Sequence, residues 1–287
     1  MINKYMTFET AWCPGCGNFS ILACLKKALE ELEIEPNKVL IAGGIGQAAK
    51  TPQYINANAF CGLHGRALPA AVAAKIANRE LTVIVDTGDG DSYGEGGNHF
   101  LHNIRRNVDI THFVHDNQIY GLTKGQASPT SGEGVVTKVQ VDGNINTPLN
   151  PMLLAIAAGA GFVARAYSAN QEHLIKIMKQ AINYNGYSIV DILQPCVSFN
   201  KINDYAYYNQ RVYELDKDYD KTDKIMAMKT AMEFEDRIPI GIIYEEDKPS
   251  FHEKNSVLRK GAPLIDVPYN REIVQKLIDD FKLIKSN

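Results

Sequence analysis

Two closely spaced cysteines are the first residues in the sequence whose types and spacing could do chemistry. Residues 12–17 read WCPGCG, so only a Pro-Gly pair separates Cys13 from Cys16. Such a pair is compatible with a metal site, an iron–sulfur cluster, a redox disulfide or two unconnected thiols. The chain has five cysteines. An odd count in a reducing compartment favours metal or redox chemistry over structural disulfides.

A glycine-flanked aspartate and a later asparagine form a second chemical pattern. Gly88-Asp89-Gly90 follows one apolar run directly, and Asn117 follows the next. Glycine lets the backbone approach a diphosphate closely, and its N–H groups can cradle the phosphates. Carboxylate and amide oxygens suit Mg²⁺, which usually keeps phosphate oxygens among its ligands. Taken alone, Gly-Asp-Gly is also compatible with an ordinary strand-to-helix turn.

The elements that must position these residues alternate between strand and helix. Apolar runs predict strands over 39–42, 81–85, 110–115, 162–167 and 188–193, and helical periodicity covers 16–32, 67–77, 98–106, 152–161 and 171–184. This order indicates an α/β fold, a parallel sheet with helices on both faces. Ligands of such sheets bind at the carboxyl ends of the strands. The glycine-rich loops, Asn117 and Cys196 all fall at those ends.

The chain changes character after residue 200. Residues 201–223 are rich in Tyr and Asp, and beyond them the pattern predicts one helix over 226–235 and one strand in the IPIGII stretch. We therefore divide the chain into a ligand-binding domain over 1–200 and a C-terminal extension over 201–287. The extension is too poor in apolar periodicity to build its own core, so we expect it to pack on its own domain or on a partner subunit.

Composition excludes several classes of partner. The net charge is −3 and the sequence pI about 6.2, with no Lys/Arg-rich run, which argues against nucleic acid. No apolar stretch approaches the roughly 20 residues that a membrane helix requires. The first residues carry no apolar signal segment. We therefore expect a cytoplasmic protein with no membrane partner.

Five motifs occur together and in one order: WCPGCG, GGIGQ, LHGRALP, GDGD and YGLTKGQASPT. The GDG stretch followed by DNQI resembles the motif of thiamine diphosphate-dependent enzymes. The whole set resembles the beta subunit of 2-oxoacid:ferredoxin oxidoreductases over about residues 10–200, and RIPIGIIY in the extension is also similar. The resemblance implies the thiamine diphosphate-binding fold.

The resemblance also implies site residues. Mg²⁺ would be bound by the side chains of Asp89 and Asn117 and by the carbonyl of Ile119. The residues that match cofactor-lining positions are Gly46, Gln47, His64, Gly65, Gly88, Asp89, Gly90, Asp91, Asn117, Ile119, Gly121 and Leu122. Lys50 and Lys124 match positions that face the substrate, where a lysine could pair with a carboxylate. Either lysine could instead be solvated, and His64 could instead be a packed core histidine.

An iron–sulfur cluster is the third implied group. A [4Fe–4S] cluster takes four thiolates, and Cys13, Cys16 and Cys196 match three of the family's ligands. The fourth position reads Gln47, whose amide oxygen is a hard, poor ligand for iron in such a cluster. Four explanations remain open: Cys61 is the fourth ligand, another group completes the cluster, the cluster has three irons, or it is labile or absent. A zinc site or paired thiols is the alternative at C-x-x-C, and Cys24 reads as a buried apolar residue.

The implied activity is oxidative decarboxylation of a 2-oxoacid to acyl-CoA. Coenzyme A would take the acyl group, and electrons would pass through the cluster to ferredoxin. An alpha, or alpha-gamma, subunit would supply the glutamate that activates the cofactor, so the chain alone would be inactive and part of an alpha-beta heterodimer or its dimer. Two alternatives are a non-redox thiamine-dependent decarboxylase and a non-catalytic homologue without a cluster.

Overall fold

The computed structural model describes residues 4–259 and 261–282, and its centre is one eight-stranded sheet. The strand order is β2-β1-β3-β4-β6-β5-β8-β7, and all pairs are parallel except β5 with β8. The strands are β1 (Val39–Gly43), β2 (Asn58–Cys61), β3 (Thr82–Gly88), β4 (Ile110–Asp116), β5 (Phe162–Tyr167), β6 (Tyr187–Leu193), β7 (Val212–Glu214) and β8 (Ile238–Glu245).

Ten α-helices connect and flank the strands in the described residues. They are α1 (Asn18–Glu31), α2 (Thr51–Tyr54), α3 (Ala67–Ala77), α4 (Gly97–Arg106), α5 (Pro151–Ala158), α6 (Gln171–Asn183), α7 (Tyr205–Arg211), α8 (Lys224–Met232), α9 (Phe251–Lys254) and α10 (Arg271–Phe281). A π-helical turn, Gly90–Glu95, joins β3 to α4, and 3₁₀ turns occupy Pro36–Lys38, Ala48–Lys50 and Leu264–Asp266. Within the described ranges, no helix is both long and apolar enough to span a membrane.

Helices cover both faces of the sheet because its strands are apolar on both sides. On one face, α1 and α6 pack against Ile41, Phe113 and Val190. On the other face, α3, α4, α5 and α8 pack against strand residues such as Val85 and Val114. The fold class predicted from the alternating pattern is therefore confirmed, with the covered parallel sheet that continuous apolar strands require.

The region after residue 200 joins the sheet. Its α8 and β8 occupy the positions where the sequence predicts a helix and a strand, and β8 pairs antiparallel with β5. β7 then pairs parallel with β8 at the edge. α8 packs into the same core as α5 through Ala227 and Ala231. This region therefore contributes strands and core residues to one continuous structure.

A buried polar link ties α1 to the sheet. Nδ1 of His115 on β4 lies 2.7 Å from Oδ1 of Asn18 on α1. Nε2 of the same ring lies 2.7 Å from Oδ1 of Asp86 on β3, without the alignment of a hydrogen bond. All three side chains are at most 1% exposed. Because removal of one partner leaves the others buried and uncompensated, this link holds α1 and its preceding loop in place.

We expect His115→Ala to lower the stability of the protein strongly. The substitution opens a cavity where the buried imidazole was packed and removes the hydrogen-bond partner of the buried Asn18 amide, which together cost about 3–5 kcal/mol. For a chain of this size that corresponds to a fall in Tm of at least about 6 °C. The matched control is His102→Ala, an exposed histidine of α4 that contacts Arg105. Circular dichroism during thermal unfolding checks both variants, and equal Tm values would contradict this role of His115.

Candidate functional site

Four neighbouring strands end at the edge of the sheet that carries the sequence motifs. β1, β3, β4 and β6 are adjacent and parallel, so their carboxyl ends face the same way. The loop over residues 44–47 follows β1, Asp89 follows β3, Asn117 follows β4 and Cys196 lies shortly after β6. The parallel pairing therefore brings together motif residues that lie far apart in the sequence.

Asp89 is a buried carboxyl, only 2% exposed. The hydroxyl of Ser128 donates to its Oδ2 at 2.5 Å, and Thr130 Oγ1 lies 2.7 Å from the same atom. Thr130 Oγ1 also lies 2.8 Å from Oδ1 of Asp116. A single hydroxyl proton cannot serve both carboxylates. Burial raises the pKa of Asp89 and, more strongly, that of Asp116. A cation beside a buried carboxyl favours its charged form and so counteracts the effect of burial.

Asn117 and Ile119 line the same cavity as Asp89. Oδ1 of Asn117 accepts a hydrogen bond from the backbone N–H of Ile119 at 3.0 Å, which fixes the turn after β4. Together the three residues offer a carboxylate, an amide oxygen and a backbone carbonyl, the hard oxygen donors that Mg²⁺ prefers. The donor set therefore fits a magnesium ion that carries phosphate oxygens.

Successive residues at the end of β4 and in the turn after it line different cavities. Asn117 and Ile119 line the cavity of Asp89, whereas Asp116 and Gln118 line a separate cavity of about 550 Å³. That second cavity also contains the buried Arg165, which donates to three backbone carbonyls, those of Ala231, Glu233 and Pro239. Asp116 is a buried carboxyl like Asp89, but it lines a different cavity from the proposed magnesium ligands Asp89, Asn117 and Ile119.

Asp91 connects two loops to the strand end that holds Asp89. Its Oδ1 accepts the N–H of Ile45 at 2.9 Å and the N–H of Gly65 at 2.8 Å. Burial raises the pKa of this carboxyl, and the two backbone donors act in the opposite direction. A Cβ at Gly44 would stand 2.0 Å from Asp91 Oδ2. The loops can therefore close over Asp91 only because position 44 has no side chain.

Nearly all the residues predicted to line the cofactor site lie around the Asp89 cavity. Gly65 lies outside the lining and acts through its N–H to Asp91. Neither Lys50 nor Lys124 is among the lining residues. Lys124 is exposed and adopts a left-handed φ of 72°. The cavity is lined by Ile45, Gly46, Gln47, Ala48, His64, Gly88, Asp89, Gly90, Asp91, Glu95, Asn117, Ile119, Tyr120, Gly121, Leu122 and Thr123.

Sequence reasoning missed several residues at this site. Glu95 lines the cavity, and the hydroxyl of Tyr120 donates to its Oε1 at 3.3 Å. Ser128 and Thr130 hold Asp89 from the far side of the loop. The signal for these two was present in the Ser-Pro-Thr stretch of the fifth motif. Glu95 gave no signal beyond its position shortly after Asp89.

We expect Gly65→Ala to disrupt the loop that carries His64. Gly65 has a φ of +66°, and an added Cβ would stand 2.4 Å from the backbone of Glu95 and Gly96. Left-handed backbone costs a non-glycine residue about 1–2 kcal/mol before any steric clash. Thiamine diphosphate affinity, measured by calorimetry, should fall at least about tenfold. The control Gly97→Ala meets no atom within 4 Å, and equal losses in both variants would contradict this role of Gly65.

Three cysteines converge on a third, smaller cavity at the same end of the sheet, the three-cysteine cavity. Cys13, Cys16 and Cys196 line it, and Nε2 of Gln194 lies 3.3 Å from the sulfur of Cys16. Burial raises the pKa of Cys16 to about 11, and the neighbouring thiols of Cys196 and Cys13 add to the effect. Cys61 does not line this cavity: it is exposed on β2, where its sulfur lies 3.9 Å from Nε2 of Gln53.

The convergence of three soft thiols on one cavity fits three ligands of an iron–sulfur cluster. Across the described part of the chain, no three His, Cys, Asp or Glu side chains already stand at metal-binding separation. The three cysteines therefore share a cavity without forming a closed set of metal ligands. Cys24 is buried in α1, as its position on the apolar face of that helix predicts, and donates to the carbonyl of Gln171.

The Asp89 cavity and the three-cysteine cavity share a wall. Gln47, Asn117 and Gly121 line both of them. Trp12, beside the first cysteine, donates its indole N–H to the carbonyl of Gln47 at 2.8 Å. Oε1 of Gln47 is buried and has no hydrogen-bond partner in the described structure. A group bound among the cysteines and a group bound at Asp89 would thus be separated by a few side chains.

Comparison with known proteins agrees with this geometry. Residues 42–192 match the family "Thiamine pyrophosphate enzyme, C-terminal TPP binding domain", and residues 196–260 match the family of C-terminal regions of the pyruvate ferredoxin oxidoreductase beta subunit. The 2-oxoacid:ferredoxin oxidoreductase subunit beta of Saccharolobus solfataricus is 44% identical over 277 residues, which cover 92% of this chain and 90% of that protein. The 2-oxoglutarate oxidoreductase subunit KorB of Mycobacterium tuberculosis is 42% identical over 192 residues, covering 67% and 52%.

A solved structure extends the likeness to three dimensions. It is the 2-oxoglutarate:ferredoxin oxidoreductase from Magnetococcus marinus with 2-oxoglutarate, coenzyme A and succinyl-CoA bound. The TM-score is 0.87 at 33% sequence identity, and the match covers 94% of this chain and 92% of that one. The likeness therefore includes both the motif-bearing domain and most of the region after residue 200.

Proposed function

The chain belongs to the family of 2-oxoacid:ferredoxin oxidoreductase beta subunits, and from that membership we propose its part in catalysis. We propose that it takes part in the CoA-dependent oxidative decarboxylation of a 2-oxoacid to acyl-CoA, with ferredoxin as electron acceptor. The observation that carries the proposal is the shared wall of Gln47, Asn117 and Gly121 between the Asp89 cavity and the three-cysteine cavity. Thiamine diphosphate, when bound, supplies the chemistry that cleaves the bond to the leaving carboxylate.

Asp89, Asn117 and Ile119 hold Mg²⁺ in this proposal. The buried carboxyl of Asp89 supplies the negative charge, and its pKa, raised by burial, falls again once a cation is present. Ser128 and Thr130 orient the carboxyl from the side opposite the cavity lining. A bound ion would neutralise charge on the diphosphate, so these residues would hold the anionic part of the cofactor.

Cys13, Cys16 and Cys196 would hold an iron–sulfur cluster, which would supply one-electron transfer. The shared wall makes the path from cofactor to cluster short, because the same three residues line both cavities. Both Cys13 and Cys196 retain some exposure to solvent. This exposure gives ferredoxin a surface near the cluster at which to dock.

The rim of the Asp89 cavity suits a contact with another chain. Leu122, which lines the cavity, is 40% exposed, and Leu63, next to the lining residue His64, is 74% exposed. Apolar side chains exposed at the rim of a charged cavity favour burial against another surface. We propose that this rim is covered by an alpha, or alpha-gamma, subunit, which supplies the glutamate that activates the cofactor. Lys50, half-buried beyond the Gln47 loop, would then pair with a carboxylate of the substrate.

The test is reduction of a viologen dye by the complex of this chain with its partner subunit. We expect anaerobic reduction that depends on a 2-oxoacid and on CoA together, and none from the beta chain alone. Release of CO₂ without dye reduction would instead indicate a non-redox decarboxylase. Absence of both activities in an assembled complex that binds thiamine diphosphate would indicate a non-catalytic homologue.

A further inference from the structure

The three-cysteine cavity includes a wall without a sulfur ligand, on the side of the loop after β1. Cys13 and Cys16 lie on the loop before α1, and Cys196 lies beyond β6. Gln47, at the end of the β1 loop, lines the same cavity. Its carbonyl is held by the indole of Trp12 at 2.8 Å, so the backbone at this position is fixed. The amide Oε1 is buried and has no partner among the described residues.

The remaining cysteines cannot fill this wall without a large rearrangement. Cys61 is fixed by the parallel pairing of β2 with β1, where it stands opposite Gly43, and the N–H of Gly62 donates to the Gly43 carbonyl at 2.8 Å. Its thiol is exposed beside Gln53. Cys24 is 1% exposed and belongs to the core between α1 and α6.

We propose that Cys13, Cys16 and Cys196 are the only thiolate ligands of the cluster, and that its fourth corner faces Gln47. This inference rests on the proposed function, because it assumes that the three-cysteine cavity holds an iron–sulfur cluster. An amide oxygen is a hard donor and binds iron in a sulfide cluster weakly. The iron at this corner is therefore exchangeable, and it stands at the wall that the cluster cavity shares with the Asp89 cavity.

The chemical consequence is a defined one-electron conversion. A one-electron oxidant such as ferricyanide takes one electron from the [4Fe–4S]²⁺ state, which then releases Fe²⁺ and leaves [3Fe–4S]⁺. Iron and sulfide balance, since one iron leaves and all sulfides remain. The charge balances as well, because ferricyanide becomes ferrocyanide. The reverse reaction needs only Fe²⁺ and a one-electron reductant such as dithionite.

The test follows iron and electron spin in the anaerobic complex of this chain with its partner subunit, while the partner's own iron is measured separately. One equivalent of ferricyanide should release one of the four irons and produce the paramagnetic signal of a three-iron cluster. Fe²⁺ with dithionite should remove that signal. In Gln47→Cys, which supplies the fourth thiolate, all four irons should stay bound under the same treatment.

Two further observations separate the possible ligands. Cys61→Ser should leave both the iron content and the release of one iron unchanged. Loss of the cluster in Cys61→Ser would overturn the proposal, and so would retention of all four irons by the unmodified complex after oxidation. A complex that holds no iron after anaerobic reconstitution would refute the cluster itself, and with it the redox part of the proposed function.

Discussion

Asp89→Ala should abolish tight binding of thiamine diphosphate. The substitution removes the only carboxylate among the three oxygen donors that line the cavity together, and the diphosphate then faces a cation with one charged ligand fewer. We expect the affinity to fall at least about a hundredfold, roughly 2.8 kcal/mol. Titration calorimetry of the complex with thiamine diphosphate in excess Mg²⁺ measures this loss, and the 2-oxoacid-dependent activity should fall with it.

Two further variants distinguish the loss of a cation ligand from unfolding of the chain. Asp89→Asn keeps an oxygen that can accept from Ser128 and Thr130 but removes the charge, so the fold should persist while the cofactor affinity still falls. Asp218→Ala changes an exposed aspartate far along the chain and should have no effect. Unchanged thiamine diphosphate affinity in Asp89→Ala would show that the cation is held elsewhere.

Cys196→Ser should remove the cluster and leave the thiamine site intact. It deletes the one cysteine that reaches the cavity from the β6 side, so only the pair before α1 remains. We expect the iron bound by this chain to fall to background and viologen reduction to fall at least about a hundredfold. Thiamine diphosphate affinity should stay within about twofold of the original. The two properties are measured on one preparation, by iron analysis and calorimetry.

The matched control for this substitution is Cys24→Ser. It also changes a thiol to a hydroxyl, but Cys24 lies on the buried face of α1 and contacts the carbonyl of Gln171. Its replacement should leave the iron content unchanged. An equal loss of iron in both variants would mean that any damage to the structure releases iron, and the assignment of Cys196 would then have no support.

The sheet and the residues at its functional edge followed from local patterns in the sequence. β3, β4 and β6 are largely apolar runs that include a few polar residues, and each ends in or is directly followed by glycine or polar residues. Parallel pairing then brings Asp89, Asn117 and Cys196 to one edge, whatever the loop lengths. For this reason the sequence pattern predicts that these three residues lie close together, whereas the proposed sets of cysteine and magnesium ligands rest on the resemblance to a known family.

Other features depended on long-range contacts that no local pattern encodes. β2 has four exposed residues and no apolar alternation, and it exists because β1 offers an unpaired edge. β8 runs antiparallel to β5, an orientation that the IPIGII stretch does not specify. Glu95 enters the cavity only through the π-helical turn after β3, and the alternation of Asp116 and Asn117 between two cavities depends on the turn that follows β4.

The most direct test of electron transfer from cofactor to cluster is a single turnover without any external electron acceptor. The anaerobic complex, loaded with thiamine diphosphate and Mg²⁺, is mixed with its 2-oxoacid while visible absorbance of the cluster is recorded. We predict bleaching of the absorbance that requires the 2-oxoacid and is absent in Asp89→Ala, because the proposed function has electrons cross the wall formed by Gln47, Asn117 and Gly121. Decarboxylation of the 2-oxoacid with no change in cluster absorbance would contradict it.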